Sequence, residues 1–266
     1  MSSFLSFVRG FSEAFLAALP KSAVERKQPC PQHQGPVVLL LSPHPDDECV
    51  TGALPLRLQR ECGARVVNVA MTLGSSLERR EPRRAELLAA CTVLDWECEF
   101  FPCALADHEA ANALRAVLER LQPAWVFYPH AADFHPAHLA VNALAQAALG
   151  PSPDAPLRIE TEFWHPNSDP NLLVESTEEE LALLLEALSC HTGEIARNPY
   201  HRRLPASMME SVRRGAERVG GAGVTAPDFL YGTLYRVQPA LPAGWSSILT
   251  ANLLRNGGES SIVPVL

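Results

Sequence analysis

The sequence predicts an α/β protein, a mostly parallel sheet with helices on both of its faces. Two observations carry that expectation. Short apolar runs bounded by turn residues, at 36–43, 64–72, 98–103 and 124–129, read as strands covered on both sides. Stretches with helical periodicity, at 47–62, 82–94, 107–123 and 135–150, separate them. Alternating strand and helix places successive strands parallel, joined by crossover helices.

Each element has a local reason. "PVVLLLSP" (36–43) is a continuous apolar run closed by turn residues. Helix 82–94 has a proline near its start, and helix 107–123 has Asp107 as a candidate N-cap and Pro123 as its stop. Helix 135–150 ends at Gly150. A fifth strand, 157–164, alternates in a way that suits a position nearer the edge of the sheet. Helix 176–191 opens with Thr177 and Glu180 at capping-box spacing. After the proline- and arginine-bearing "ARNPYHRRLP", a late strand is expected at 229–237. No internal repeat and no second domain is evident. The expected organisation is an N-terminal helix and linker over 1–35, then a single domain over 36–266.

At the N-terminus, Phe4, Val8, Phe11, Phe15 and Leu19 recur at helical spacing. The stretch is too short and too polar for a membrane span, and it fits a signal peptide poorly. Three readings stay open: a helix packed on its own domain, a helix that docks a partner or a second copy, and a membrane-surface helix. Residues 21–35 read as a linker. The formal net charge is −8, and "ERREPRRAE" (78–86) dilutes its bases with acids, so nucleic acid is not an expected partner. The seven cysteines form no CxxC pair, which argues against a cysteine-built zinc site and for free thiols in a reducing, cytoplasmic setting.

Two clusters carry the chemistry. "HPDDE" (44–48) follows the first strand, and "PHAADFHPAH" (129–138) follows the fourth. Both fall at the carboxyl ends of parallel strands, where ligands of such sheets bind. Acids at a helix start are common, and HxxH is common by chance. Together, at one sheet edge, they offer three metal ligands and an open position: His44, Asp47 and one of His135 or His138. Asp46 is then a carboxylate beside the metal that need not be a ligand, which suits a general base. The turn after the first strand has no GxGxxG and carries acids, which disfavours a dinucleotide.

"PHPDDE" followed by Gly52 resembles the signature of the PIG-L/LmbE-like de-N-acetylases. Arg83-x-x-Glu86 with Ala90 and Leu94, "DFHPAH" and "EALSCHTGEI" resemble later motifs of that family, in order, over roughly residues 36–235. The resemblance implies a Rossmann-like three-layer fold and zinc-dependent hydrolysis of an N-acetyl group on an amino sugar or glycoconjugate, with another divalent transition metal as the alternative ion. It implies His44, Asp47 and His138 as zinc ligands and Asp46 as general base. His135 would stabilise the oxyanion and protonate the leaving amine. Arg83 would contact the substrate, with Glu48 steadying the motif turn and Asp133 supporting the ligand histidines.

Two departures stand out. Ala137 occupies a position where the family commonly has Asp, and Ala53 one where it commonly has a second glycine. Two other readings remain: a metal-dependent amidase for a different N-acyl substrate, and an impaired member acting as a binder, motivated by Ala137. Of the remaining candidates, His130 is read as a supporting residue, His165 as a loop residue, and His191 as either near the site or capping a helix. Arg197, Arg202 and Arg203 are read as solvated unless the substrate is anionic.

Overall fold

The computed structural model describes residues 3–17, 35–151 and 155–250. In chain order the elements are α1 (Ser3–Ala17), β1 (Val37–Ser42), α2 (Asp47–Val50), α3 (Leu54–Cys62), β2 (Arg65–Ala70), α4 (Arg80–Leu94), β3 (Glu97–Phe100), α5 (Ala110–Leu121), β4 (Trp125–Pro129) and α6 (Pro136–Leu149). They continue with β5 (Leu157–Thr161), β6 (Leu172–Glu175), α7 (Glu178–Leu188), α8 (Thr192–Arg197), α9 (Tyr200–Gly220), β7 (Gly232–Gln238) and β8 (Ile248–Leu249).

The strands form one sheet in the order β3-β2-β1-β4-β5-β7-β6-β8. β1 pairs in parallel with β2 on one side and with β4 on the other. The chain therefore leaves β1 in one direction and returns at β4 on its other flank. Such a reversal opens a crevice at the carboxyl ends of those two strands. β5 lies inside the sheet and is the point where pairing turns antiparallel, to β7. The expected edge position is thus corrected: its alternation reflects β7 beside it, not a free edge.

All six residues of β1 are buried. Val38 and Leu40 face one core, which holds Leu54, Leu58, Ala90, Leu184 and Leu204 of α3, α4, α7 and α9. Leu39 and Leu41 face a second core with Leu114, Val117, Val141 and Ala145 of α5 and α6. The period-two alternation of β1 thus fills both cores, and the result is the expected three-layer α/β fold with a mostly parallel sheet.

Several expectations change in detail. The helix expected over 47–62 is broken into α2 and α3 around Gly52, which has φ +94. Asp107 does not cap α5; Glu109 holds that position, and the Asp107 carboxylate accepts the Glu109 N–H at 2.9 Å instead. The capping box of Thr177 and Glu180 forms on α7. The "ARNPYHRRLP" stretch contains the end of α8 and the start of α9, a 21-residue helix that tolerates Pro205 inside it. On α1, Phe4, Phe7, Val8, Phe11 and Leu16 are exposed, so packing on its own domain is not what the described residues show. Arg202 of α9 does donate to the Leu16 carbonyl at 2.8 Å. No described helix is long and apolar enough to cross a membrane. None of the six described cysteines is in a disulfide. Most of the expected linker, 18–34, lies outside the described residues, as do Leu19, Cys30 and 251–266.

Gly52 packs the turn after β1 against β7 of the same sheet. A Cβ there would lie 2.3 Å from Thr233 Oγ1 and 2.5 Å from the Tyr235 hydroxyl. That hydroxyl donates to the Thr51 carbonyl at 2.7 Å. Gly52→Ala therefore combines strain at positive φ with a clash against the Thr233 and Tyr235 side chains, and should lower unfolding free energy by about 3 kcal/mol in a denaturant titration. A loss of less than about 1 kcal/mol would show that neither constraint operates.

Candidate active site

The "HPDD" segment forms a tight turn: Asp47 N–H donates to the His44 carbonyl at 3.3 Å. Pro45 takes the first central position, which its fixed φ favours, and Asp46 takes the second with φ +117. Positive φ there is the pattern of a type II turn, and it is costly for a residue other than Gly, of order 1–3 kcal/mol. The turn swings the two aspartates apart. Asp47 points back at the histidines, its Oδ2 accepting the His44 N–H at 2.8 Å and lying 3.2 Å from His44 Nδ1. Asp46 stands at the N-cap position of α2 without making a cap bond. Its carboxylate accepts no hydrogen bond among the described residues, and it lines the large cleft above the sheet.

The second cluster enters from β4 and α6. His138 Nε2 lies 3.4 Å from the same Asp47 Oδ2, and His138 Nδ1 lies 2.9 Å from Asp133 Oδ2. Asp133 Oδ1 accepts the His135 N–H at 2.8 Å, so one carboxylate fixes both histidines. His135 is the N-cap of α6, its Nδ1 accepting the Ala137 N–H at 3.2 Å. With Nδ1 an acceptor, the neutral ring carries its proton on Nε2. His44, His135 and His138 each offer a ring nitrogen within 4.8 Å of the others.

These residues fit a divalent cation. Ligand atoms at about 2.0–2.1 Å from a tetrahedral zinc stand roughly 3.3–3.4 Å apart. Asp47 Oδ2 lies 3.2 Å and 3.4 Å from nitrogens of His44 and His138, hydrogen-bond contacts whose spacing also matches the edges of a coordination shell. The electrostatics agree. Burial alone would pull His138 down, but hydrogen bonds to Asp133 and Asp47 outweigh it and lift its pKa to about 10. Burial likewise opposes ionisation of Asp47 and Asp133, yet the histidines hold both below the usual carboxylate range. A site that holds positive charge this firmly suits a cation in the proton's place. Asp46 goes the other way: burial, then the charges of Asp47, Glu48 and Glu194, push it well above the usual range against the pull of Arg83. Burial, then His44 and His138, hold His135 below its ordinary value.

A buried framework holds the turn. Glu48 Oε2 accepts the Asp46 N–H at 2.9 Å, and Glu48 Oε1 meets His191 Nε2 at 2.5 Å; neither side chain reaches solvent. His191, left between two readings by the sequence, is thus tied to the turn and makes no side-chain cap bond on α8. Glu48, Cys49 and His191 are close enough to be considered as ligands. Both Glu48 oxygens are already engaged there by His191, Cys49 and Asp46. On the other side, Arg83 donates to the Pro45 and Leu73 carbonyls at 3.4 Å and pairs with buried Glu194 at 3.2 Å. Its guanidinium both lines the cleft and braces the turn. His165 also lines the cleft, and its carbonyl meets His130 Nε2 at 2.8 Å.

The cleft has a volume of about 980 Å³. Sequence reasoning missed several of its walls: Arg80 and Arg84 of α4, Glu194 of α8, and the stacked pair Trp164–Tyr200, centroids 4.8 Å apart. "ERREPRRAE" held the signal for the arginines, but nothing in it said which of them face inward. His191→Ala should leave the buried Glu48 carboxylate short of a partner and cost about 3 kcal/mol of stability. A chemical denaturation midpoint unchanged from the parent protein would contradict the framework.

Residues 39–149 match the PIG-L: GlcNAc-PI de-N-acetylase family model. No curated protein matches the chain. Several solved structures share the fold. GalB, the 4-carboxy-2-hydroxymuconate hydratase from Pseudomonas putida, aligns with TM-score 0.60 at 18% identity, over 79% of this chain and 100% of its own. N,N'-diacetylchitobiose deacetylase from Pyrococcus horikoshii aligns with TM-score 0.54 at 19% identity, over 90% and 94%. The zinc-inhibited form of the teicoplanin deacetylase Orf2 aligns with TM-score 0.56 at 16% identity, over 76% and 97%. The part of the chain that matches the PIG-L model runs from β1 to α6 and carries both histidine clusters.

Proposed function

We propose that this protein is a metal-dependent N-deacetylase that hydrolyses the acetamide of an amino sugar or glycoconjugate. The observation that carries the reading is the division of labour between adjacent aspartates: Asp47 is bound up with two histidines, while Asp46 faces the cleft unengaged. The fold alone does not select the reaction, since GalB shares it and is a hydratase. The family match and the site together favour amide hydrolysis.

In this reading His44, Asp47 and His138 would hold the ion. Asp47 is preferred to His135 as third ligand because its Oδ2 lies within 3.2–3.4 Å of both histidines, whereas His135 Nδ1 is spent on the α6 cap. A divalent ion, zinc by preference, supplies Lewis-acid polarisation of a carbonyl and makes water at the site more acidic. Asp46 takes the proton from the attacking water, as a buried carboxylate of raised basicity should. His135, neutral with its proton on Nε2, donates to the developing oxyanion. Asp46 then returns the proton to the departing amine, and acetate and the free amine leave. Free thiols fit a cytoplasmic setting for this chemistry.

The test is acetate release from a panel of N-acetylglucosamine conjugates, using protein loaded with zinc or another divalent ion and protein treated with chelator. Metal content is measured in parallel. Release should require the metal. Asp46→Asn should lower turnover by about 10²–10⁴-fold while retaining the metal. His138→Ala should lose the metal itself. Normal turnover by the Asp46→Asn protein would remove Asp46 as the base. Release from other N-acyl compounds but not from sugars would shift the reading to a broader amidase.

A further inference from the structure

We infer that the cleft carries a second subsite, built by Arg80 and Arg84, for an anionic group on the substrate, a carboxylate or a phosphate. The inference rests on the deacetylase reading for what sits at the histidine end, and it adds what the far wall binds.

The lining of the cleft is divided by charge. Asp46, Asp47 and Asp133 lie with the histidines, while the α4 and α8 wall presents Arg80, Arg83, Arg84 and Arg197. The acid in that wall is Glu194, and it is already paired with Arg79, Arg83 and Arg197. The wall is therefore net positive in a chain whose formal charge is −8.

The arginines differ in how far the protein has used them. Arg83 is committed to Glu194 and two carbonyls, and Arg197 to Glu194. Arg80 makes no side-chain hydrogen bond or ion pair among the described residues. Arg84 sits over the Phe100 ring, its Cζ 3.7 Å from the centroid, and its nearest acid is Glu81 at a loose 3.9 Å. The ring holds the guanidinium in place without using its N–H groups, whose partner among the described residues is Glu81 alone. Arg80 and Arg84 are four apart on α4, hence on one face, and that face lines the cleft. Two guanidiniums on one helix face, one of them held in place, offer N–H donors suited to the oxygens of a carboxylate or phosphate. At about 980 Å³ the cleft is at the upper end of small-ligand sites, roomy enough for an acetamido sugar and a charged substituent.

Three ligands test this: N-acetylglucosamine, N-acetylglucosamine 6-phosphate and N-acetylmuramic acid, which are neutral, phosphorylated and carboxylated. Their binding to the metal-loaded protein is measured by calorimetry at low and high salt, and amine release is assayed separately. At least one charged ligand should bind about tenfold more tightly than the neutral one, with the advantage shrinking as salt rises. Which one does so identifies the anion. An R80Q/R84Q protein, shown to be folded by its thermal transition, should lose that advantage. Equal affinities for all three, no detectable binding of either charged sugar, or an advantage that survives in R80Q/R84Q would overturn the subsite. The two readings fail separately. A charge preference without amine release from any ligand sinks the deacetylase and keeps the subsite. Amine release from the neutral sugar without a charge preference does the reverse.

Discussion

The carboxylate of Glu48 is the point on which the turn carrying Asp46 and Asp47 depends. It sits with no access to solvent, one oxygen on His191 and the other on the Asp46 N–H. A charge in that position survives only if fully partnered, because removing it from water is expensive. Its partners are therefore as constrained as it is. The Asp46 N–H must point inward, which helps hold φ at +117, and that backbone setting sends the Asp46 side chain to the cleft. Asp47, one residue on, then falls beside His44. Local strain at Asp46 is offset by interactions made elsewhere, through β1 buried on both faces and through α8.

α8 has an effect out of proportion to its six residues. His191, at its N-cap position, anchors Glu48, and Glu194 gathers Arg79, Arg83 and Arg197. Arg83 in turn reaches the Pro45 carbonyl. The turn is thus gripped on both sides of Asp46 by one short segment lying far away in sequence. The charges fall into order around that grip. Carboxylates converge on His138, and the α4 and α8 wall of the same cleft presents guanidiniums, of which Arg83 reaches back to the turn. In the proposed reading a proton on His138 Nε2 and a cation before Asp47 would compete for the same place, so metal uptake would entail proton release.

The parts of this arrangement legible in the sequence were those set by short-range rules. Burial on both faces of β1 and β4, the alternation of strand and helix, and the Thr177 capping box are all local signals, and all appear in the structure. The pairing of His44 with Asp47 was legible for the same reason: Pro45 favours a turn that brings residues three apart to one side. α9 was hidden by Pro205 and a run of arginines, though apolar positions such as Leu204, Met208 and Val212 keep its buried face. β5 was misplaced because its alternation is compatible with an edge as well as with an antiparallel neighbour. His191, Glu194 and the inward turn of Arg80 and Arg84 were not legible. Each depends on contacts between α4, α8 and the β1 turn, and no periodicity records which helix face meets a loop 100 or more residues away.

Ala137 shows how a departure from a motif is weighed by geometry. Its side chain is too short to supply the acid that the family commonly has there, and loss of an acid beside His135 suggested an impaired protein. The contact that matters at position 137 is made by the main chain. The Ala137 N–H donates to His135 Nδ1 as part of the α6 cap, and any residue other than proline can do that. The tautomer with Nε2 protonated is therefore set by the start of the helix and not by the missing carboxylate. What the missing acid removes is negative charge, which would have favoured the imidazolium. His135 is held below its ordinary pKa by burial and by the neighbouring imidazoles, the direction expected of a neutral donor. Asp133 still fixes the His135 backbone and His138 Nδ1. Ala137 thus changes how the ring would be charged, leaves the His135 tautomer and its α6 cap in place, and gives no physical ground for preferring the impaired reading.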